Sequence, residues 1–196
     1  MAKINRDDID KLYDYGIHLP SKTLITVGDS DEVVAENVLK GLHILDAIQP
    51  DVPLTIKLNN CGGDEYHGMA IYDTIRACTS KVIIIGIGNV HSMGSIIFQA
   101  GDERIMAPNA KQLIHYGTPL LADSDLHAKA QWSWTEECKK FSAWMETLYL
   151  EKIHEKHPMF KLKKLQELLN FDTILDARES VNLGLADKIL GEETDV

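Results

Sequence analysis

Apolar positions in the first half of the chain change repeatedly between the two-residue period of a strand and the period of a helix. Residues 54–58 alternate apolar and polar side chains, and residues 82–85 are apolar throughout, which predicts a strand buried on both faces. Apolar residues at helical spacing follow Ser30, which we assign as the N-cap of a helix. Pro50 ends this helix. Strands that alternate with helices predict βαβ units and a mostly parallel sheet.

The same patterns predict the other elements of an α/β domain. Further strands are predicted at Thr23–Val27 and at residues 104–106, 112–114 and 188–190. Further helices are predicted at Glu65–Ala77 and at residues 92–100. A capping box of Asp176 and Glu179 opens the last helix, which ends at Gly184.

The second half of the chain is predicted to carry one long helix, from about residue 125 to residue 156. Its apolar stripe consists of Trp134, Cys138, Phe141, Met145 and Leu148. Because an apolar stripe must be covered, we interpret it as packing against the core or a neighbouring subunit, rather than as a cofactor box. No repeat or linker interrupts the 196 residues, so residues 1–196 are predicted to form a single domain.

Charge and composition exclude several classes of function. A net charge of −10 argues against nucleic acid or an anionic membrane as the main partner. No apolar run reaches the roughly 18 residues of a membrane span, and the N-terminus lacks the apolar core of a signal peptide. The three cysteines are far apart, which predicts reduced thiols in a cytoplasmic protein. His154 and His157 are interpreted as solvated, and neither a metal nor a cofactor is predicted.

The run from Asn89 to Ile97 is the most informative for function. It leads from a predicted strand into an apolar segment, so Ser92 lies at a strand-to-helix turn where unpaired helical N–H groups point outward. This position suits a nucleophile, because the N–H groups can hold the oxyanion formed in acyl transfer. The alternative is that Ser92 simply caps the helix.

Three further features supply the residue types that a serine nucleophile requires. Gly62-Gly63 forms a tight turn where a ligand can approach backbone N–H groups. His115 ends a short strand, and Asp172 lies just ahead of the last helix. A serine nucleophile needs a general base, and the base needs a carboxylate that fixes its tautomer. Spacing alone leaves open whether these residues act together or are ordinary turn and surface residues.

Ordered motifs from about residue 23 to residue 190 resemble the Clp protease proteolytic subunit family. They are Leu58-Asn59-Asn60-Cys61-Gly62-Gly63, residues 88–94, residues 107–115, Asp172-Thr173-Ile174-Leu175 and residues 177–190. By position, the resemblance implies that Ser92 is the nucleophile, His115 the general base and Asp172 the orienting acid. It also implies that the backbone N–H groups of Gly63 and Met93 form the oxyanion hole.

The resemblance further implies an α/β fold, a ClpP/crotonase-like spiral of repeated ββα units. An N-terminal segment, residues 1–22, would precede the spiral, and a long handle helix within about residues 120–160 would protrude from it. The implied assembly is a homo-oligomer of heptameric rings, stacked in pairs around a proteolytic chamber. Peptides or unfolded proteins would be its substrates, delivered by a ring ATPase of the AAA+ class.

The chain departs from the family around the general base and the oxyanion turn. His115-Tyr116-Gly117 replaces His-Gln-Pro, and the segment from His115 to Asp172 is longer than usual. Pro119 lies in the part that resembles the strand for ring pairing and substrate binding, and proline cannot donate a ladder hydrogen bond. The sequence therefore leaves the number of rings open. Cys61 replaces a proline, and we interpret it as a small apolar filler rather than a redox switch.

The surface that docks the ATPase also differs. The family's aromatic docking positions fall on Thr55, Lys57 and Ala77, so the apolar area that holds the ATPase is lost. We hypothesise a divergent, virus-encoded member that does not use the usual ATPase contact. Two other hypotheses remain, a catalytically idle structural subunit of such a ring and an acyl-CoA-processing enzyme of the same fold.

Overall fold

One mixed β-sheet organises the computed structural model, which describes residues 6–48, 50–117 and 128–192. Its eight described strands are β1 (Ile17–His18), β2 (Thr23–Val27), β3 (Leu54–Asn60), β4 (Val82–His91), β5 (Glu103–Met106), β6 (Lys111–Ile114), β7 (Thr173–Asp176) and β8 (Lys188–Ile189). The strands β2, β3, β4, β5 and β8 run parallel in that order, and β1 pairs antiparallel at the β2 edge. The prediction of a mostly parallel sheet is therefore confirmed.

The described residues also form seven α-helices, of which the first precedes the sheet. They are α1 (Arg6–Tyr15), α2 (Glu32–Ile48), α3 (Glu65–Ala77), α4 (Met93–Phe98), α5 (Ala128–Lys156), α6 (Leu162–Leu169) and α7 (Ala177–Leu183). The capping box at Asp176 and Glu179 is present, and α7 ends at Gly184 in the left-handed conformation, as predicted. The sequence patterns did not predict α1, β1, α6 or β7.

Strand β4 changes its neighbour halfway along, and this change positions the site. Its first half pairs with β5, whereas residues 89–91 pair with β6. Between the halves, Gly88 has φ +65°, and a Cβ there would lie 3.1 Å from the Asn59 side-chain oxygen. A glycine therefore allows the strand to turn at this point. The C-terminal end of β4 consequently lies beside the end of β6.

The prediction that β4 is buried on both faces was wrong. Val82 and Ile84 are fully buried, but the alternate residues Ile83 and Ile85 are half-buried and Ile87 is 39% exposed. The buried face packs with apolar residues of α2 and α3 in one core cluster. One side of the strand therefore contributes to the core, and the other is only partly covered within the described residues.

The helix cap assigned to Ser30 was also wrong. Asp31 caps α2, because its Oδ1 accepts a hydrogen bond from the Val34 N–H at 2.8 Å. Ser30 is instead buried, and its N–H donates to the Gly62 carbonyl at 2.6 Å. Its hydroxyl donates to the Asn60 side-chain oxygen at 3.2 Å. Ser30 thus ties the start of α2 to the glycine turn after β3.

The apolar stripe on α5 packs partly into the core, as interpreted from the sequence. Met145 and Leu148 are buried in the core cluster. Trp134 is 43% exposed and lies edge-on to Tyr66, with ring centroids 6.4 Å apart. The predicted start of this helix near residue 125, and Pro119 with its segment, lie outside the described residues.

Candidate active site

Ser92 lies in a strained turn between the end of β4 and the start of α4. Its backbone has φ 53° and ψ −119°, which a residue with a side chain rarely adopts. The side chain makes no capping hydrogen bond, so the interpretation of Ser92 as a simple helix cap is not supported. A nucleophilic serine on a sharp strand-to-helix turn presents its hydroxyl outward in the same way.

Glycines make room for this turn. A Cβ on Gly62 would lie 2.7 Å from the Ser92 Cβ and 3.1 Å from its Oγ, closer than side chains tolerate. A Cβ on Gly94 would lie 2.6 Å from the Asn60 side-chain oxygen. The glycine turn after β3 and the first turn of α4 can therefore approach each other only without side chains.

Ser92, His115 and Asp172 form one continuous chain of hydrogen bonds. The His115 Nε2 lies 2.8 Å from the Ser92 Oγ, and the His115 Nδ1 lies 2.8 Å from the Asp172 Oδ1. Strand pairing produces this approach, because β6 lies beside the end of β4 and β7 lies antiparallel to β6. The His115 side chain is 25% exposed and that of Asp172 is 71% exposed. Asp172 immediately precedes β7, and not the last helix as the sequence suggested.

Tyr116, which follows His115, makes hydrogen bonds that the sequence did not predict. The Tyr116 hydroxyl donates to the Glu146 carboxylate on α5, which also accepts from the Gln166 amide at 3.2 Å. The Tyr116 N–H donates to the Leu169 carbonyl at 2.9 Å. Burial and the Glu146 carboxylate raise the pKa of the Tyr116 phenol, which keeps it protonated as a donor. These bonds join α5 and α6 to the chain beside His115.

Two backbone N–H groups in the turns around Ser92 have no hydrogen-bond acceptor among the described residues. They belong to Gly63, which has φ +130°, and to Met93, the first residue of α4. A Cβ on Gly63 would lie 2.8 Å from the Ser30 nitrogen, so only glycine fits there. Because the first N–H groups of a helix lack intrahelical partners, the Met93 N–H is available to an anion.

A groove of about 540 Å³ opens beside Ser92 and His115. Its apolar lining comes from Met93, Ile96, Phe141 and Met145. The acidic residues Asp64 and Glu65 also line it, at the start of α3. The groove has a volume that suits one large side chain or a short stretch of peptide.

The other candidates from the sequence do not join this site. Cys61 is exposed, and its sulfur lies 3.4 Å from the Asn89 amide nitrogen, so its interpretation as an apolar filler was wrong. The ring nitrogens of His154 and His157 bond to the carbonyls of Phe160 and Asn182. Within the described ranges, no cluster of three or more His, Cys, Asp or Glu side chains could hold a metal ion. No helix in these ranges is long and apolar enough to cross a membrane.

Comparison with known protein families shows to which family the chain belongs. The family model for Clp protease matches residues 8–193. The chain belongs to the Clp protease family. Two relatives are the ATP-dependent Clp protease proteolytic subunit of Deinococcus radiodurans and proteolytic subunit 2 of Pseudomonas aeruginosa, each 29% identical over 188 residues. The matches cover 93% and 95% of this chain and 87% and 88% of those proteins.

The fold is also shared with a solved Clp protease structure. A ClpP1 mutant from Listeria monocytogenes superposes with a TM-score of 0.75 at 24% identity, covering 89% of this chain and 94% of that one. The predicted ClpP-like α/β fold with a long helix is therefore confirmed. Family membership supports a serine peptidase activity in general terms. The three relatives are bacterial, and the hypothesis of a virus-encoded member gains no support from them.

Proposed function

We propose that this Clp protease family member is a serine endopeptidase that hydrolyses peptides and unfolded proteins through an acyl-enzyme. The observation that carries this proposal is the unbroken chain of hydrogen bonds from Ser92 through His115 to Asp172, with both links at 2.8 Å. A nucleophile, a base and an orienting carboxylate in this order are the parts that acyl transfer requires.

Each side chain of the triad has a separate role. The Ser92 Oγ attacks the peptide carbonyl while the His115 Nε2 takes the hydroxyl proton. His115 then returns that proton to the departing amine, and the same base activates the water that hydrolyses the acyl-enzyme. The Asp172 carboxylate accepts the Nδ1–H, which keeps Nε2 free as the base and stabilises the imidazolium.

The oxyanion of the tetrahedral intermediate would be held by backbone groups. The N–H groups of Gly63 and Met93 are the proposed donors, because both lack acceptors among the described residues and lie in the turns around Ser92. One such donor contributes roughly 3 kcal/mol to transition-state stabilisation. The strained turn at Ser92 thus serves both the nucleophile and the donor that follows it.

The proposed assembly is a heptameric ring, single or stacked, that encloses the sites in a chamber. An AAA+ ATPase partner would dock in a non-standard way. The family's docking positions are occupied by Lys57 and Ala77, which are exposed, and by Thr55, which is half-buried. A charged side chain and a methyl group offer little of the apolar area that a docking pocket needs.

Labelling with a fluorophosphonate tests the proposed chemistry directly. The probe should form one stoichiometric adduct, which mass spectrometry of the digested protein locates on the peptide containing Ser92. The reason is that only a serine with an adjacent base and an oxyanion hole attacks a phosphonyl fluoride quickly. Native mass spectrometry of the labelled protein gives the subunit number in the same experiment.

Ser133→Ala is the matched control for labelling, because Ser133 is exposed near the start of α5 and its hydroxyl donates to the Lys129 carbonyl at 3.1 Å. It should label as wild type does. If the assembled protein gave no adduct on Ser92, the peptidase proposal would be wrong and the idle-subunit hypothesis would replace it.

The Asp172→Asn variant should lower kcat of peptide cleavage about a hundredfold. The loss is expected to be smaller than for a buried triad carboxylate, because Asp172 is 71% exposed and water can partly stabilise the imidazolium in its place. The measurement is kcat for a fluorogenic peptide, compared between the variant and the wild type at one pH. An unchanged rate would show that Asp172 does not orient His115.

A further inference from the structure

Two carboxylates line the groove beside Ser92, and that of Glu65 is the one not engaged in a helix cap. Glu65 is the first residue of α3 and lines the same groove as Ser92, Phe141 and Met145. Its neighbour Asp64 is already used, because its Oδ1 accepts the His67 N–H at 2.9 Å and caps the helix. Glu65 is half-buried and makes no hydrogen bond or ion pair with another described residue.

Among the described residues, no positive side chain pairs with the Glu65 carboxylate. Burial, followed by the carboxylates of Asp64 and Glu137, raises its pKa. Glu137 is itself paired with Lys140, with N and O 2.6 Å apart. Residues 118–127, which follow the groove residue Gly117 in the chain, contain no lysine or arginine. Within the described part of the chain, Glu65 thus has no basic partner, and a bound substrate can provide one.

The remaining walls suit the stem of a long basic side chain. Met93, Ile96, Phe141 and Met145 provide apolar surface, and Glu65 provides the negative end. Lysine and arginine bury their methylene groups against such surface while their charged end reaches a carboxylate. A leucine side chain would bury the same apolar walls but would leave the half-buried carboxylate without a partner.

We propose that Glu65 gives this protease a preference for substrates with lysine or arginine in the groove, next to the bond that Ser92 attacks. The preference deepens the proposed peptidase function and rests on it. Glu65 would act as a specificity determinant, because in this arrangement it would contact the substrate side chain and not the reacting atoms.

Matched peptides test this proposal by turnover and by binding. Fluorogenic peptides that differ only in lysine, arginine, leucine or glutamate before the cleaved bond are compared by kcat/KM. The same peptides without the fluorogenic group are compared by Kd on the Ser92→Ala variant, where no cleavage intervenes. For wild-type turnover and Ser92→Ala binding, lysine should be preferred to leucine by about tenfold, which corresponds to about 1.4 kcal/mol.

Glu65→Gln keeps the size of the side chain and removes its charge. In Glu65→Gln, the lysine-to-leucine ratio of kcat/KM should fall towards one. In the double variant with Ser92→Ala, the lysine-to-leucine ratio of binding affinities should fall in the same way. Glu136→Gln is the matched control: Glu136 lies on α5 outside the groove, is exposed and pairs with Lys139 at 2.8 Å. It should keep the wild-type ratio, which excludes an effect of net charge.

A lysine-to-leucine ratio near one in the wild type, or a ratio that Glu65→Gln leaves unchanged, would overturn the specificity inference. The two proposals can fail separately. If Ser92→Ala showed a Glu65-dependent preference in binding while the wild type cleaved no peptide and took no fluorophosphonate, the groove assignment would stand and the peptidase proposal would be wrong.

Discussion

The Ser92→Ala variant is expected to lose about four to six orders of magnitude in kcat/KM for fluorogenic peptides. Without the Oγ, the His115 base has no hydroxyl from which to take a proton, and no acyl-enzyme can form. Residual activity over the uncatalysed reaction would come from substrate positioning and from the Gly63 and Met93 N–H groups. The measurement is steady-state hydrolysis at enzyme concentrations high enough to detect the residual rate.

A companion variant separates the chemistry from the strain at this position. Ser92→Gly should be equally inactive, but it should raise the free energy of unfolding by about 1 kcal/mol, because glycine adopts φ 53° without strain. Ser92→Ala should leave that free energy nearly unchanged, since alanine keeps the strained backbone. Peptide cleavage by either variant within tenfold of wild type would show that Ser92 is not the nucleophile.

Local sequence patterns were sufficient for elements whose signals are short-range. The bounds of β2 and α3 coincide with the predicted ones, and the capping box at Asp176 and Glu179 forms as expected. Periodicity and caps act within a few residues, so one sequence contains all the information they need. The Ser30 assignment failed because Ser30 and Asp31 are both good caps, and the distant Gly62 carbonyl engages the first of them.

The candidate triad depends on pairing that local patterns do not contain. His115 and Asp172 are 57 residues apart, and β6 and β7 bring them together as antiparallel neighbours. Strand β7 has four residues, with a half-buried and exposed pattern that does not alternate, so periodicity did not reveal it. The resemblance to the Clp protease family supplied the missing long-range information, and the structure places the three side chains in contact.

The position of Glu65 in the groove could not be predicted from the sequence, for a different reason. Glu65 directly follows Asp64, and two acids at a helix start predict only favourable interaction with the helix dipole. Its distinct environment arises because apolar side chains of α5, such as Phe141 and Met145, line the same groove. A residue's burial and charge neighbours depend on chain segments far away in sequence, so no local pattern separated Glu65 from Asp64.

The largest effect on stability is expected from a buried arginine behind the site. The Arg104 side chain is 3% exposed, and its Nη2 lies 2.5 Å from the Asp187 Oδ1. Its Nη1 donates to the Gln99 side-chain oxygen at 2.6 Å, and the Gln99 amide donates to the Leu185 carbonyl at 3.1 Å. Gln99 directly follows α4, so this network connects the helix that begins after Ser92 to the chain before β8.

Arg104→Met should lower the free energy of unfolding by about 2 kcal/mol, because a buried guanidinium loses its hydrogen bonds to Asp187, which is 37% exposed, and to the buried Gln99. Methionine fills much of the volume, but the Asp187 carboxylate and the Gln99 oxygen lose their charged partner. Arg178→Met is the matched control, because Arg178 and Glu192 form an exposed pair and their side chains are 56% and 47% exposed. It should cost less than about 1 kcal/mol.

Urea unfolding of the two variants measures this difference, with the assembly state held constant. Fluorophosphonate labelling of Ser92 should also slow in Arg104→Met and stay unchanged in Arg178→Met, since Arg104 bonds to Gln99, which directly follows α4, whereas Arg178 bonds to Glu192. Equal losses of stability in both variants would mean that Arg104 acts as an ordinary surface charge. Lower stability with normal labelling would mean that the turn at Ser92 is held by the glycines and β6 alone, independently of the end of α4.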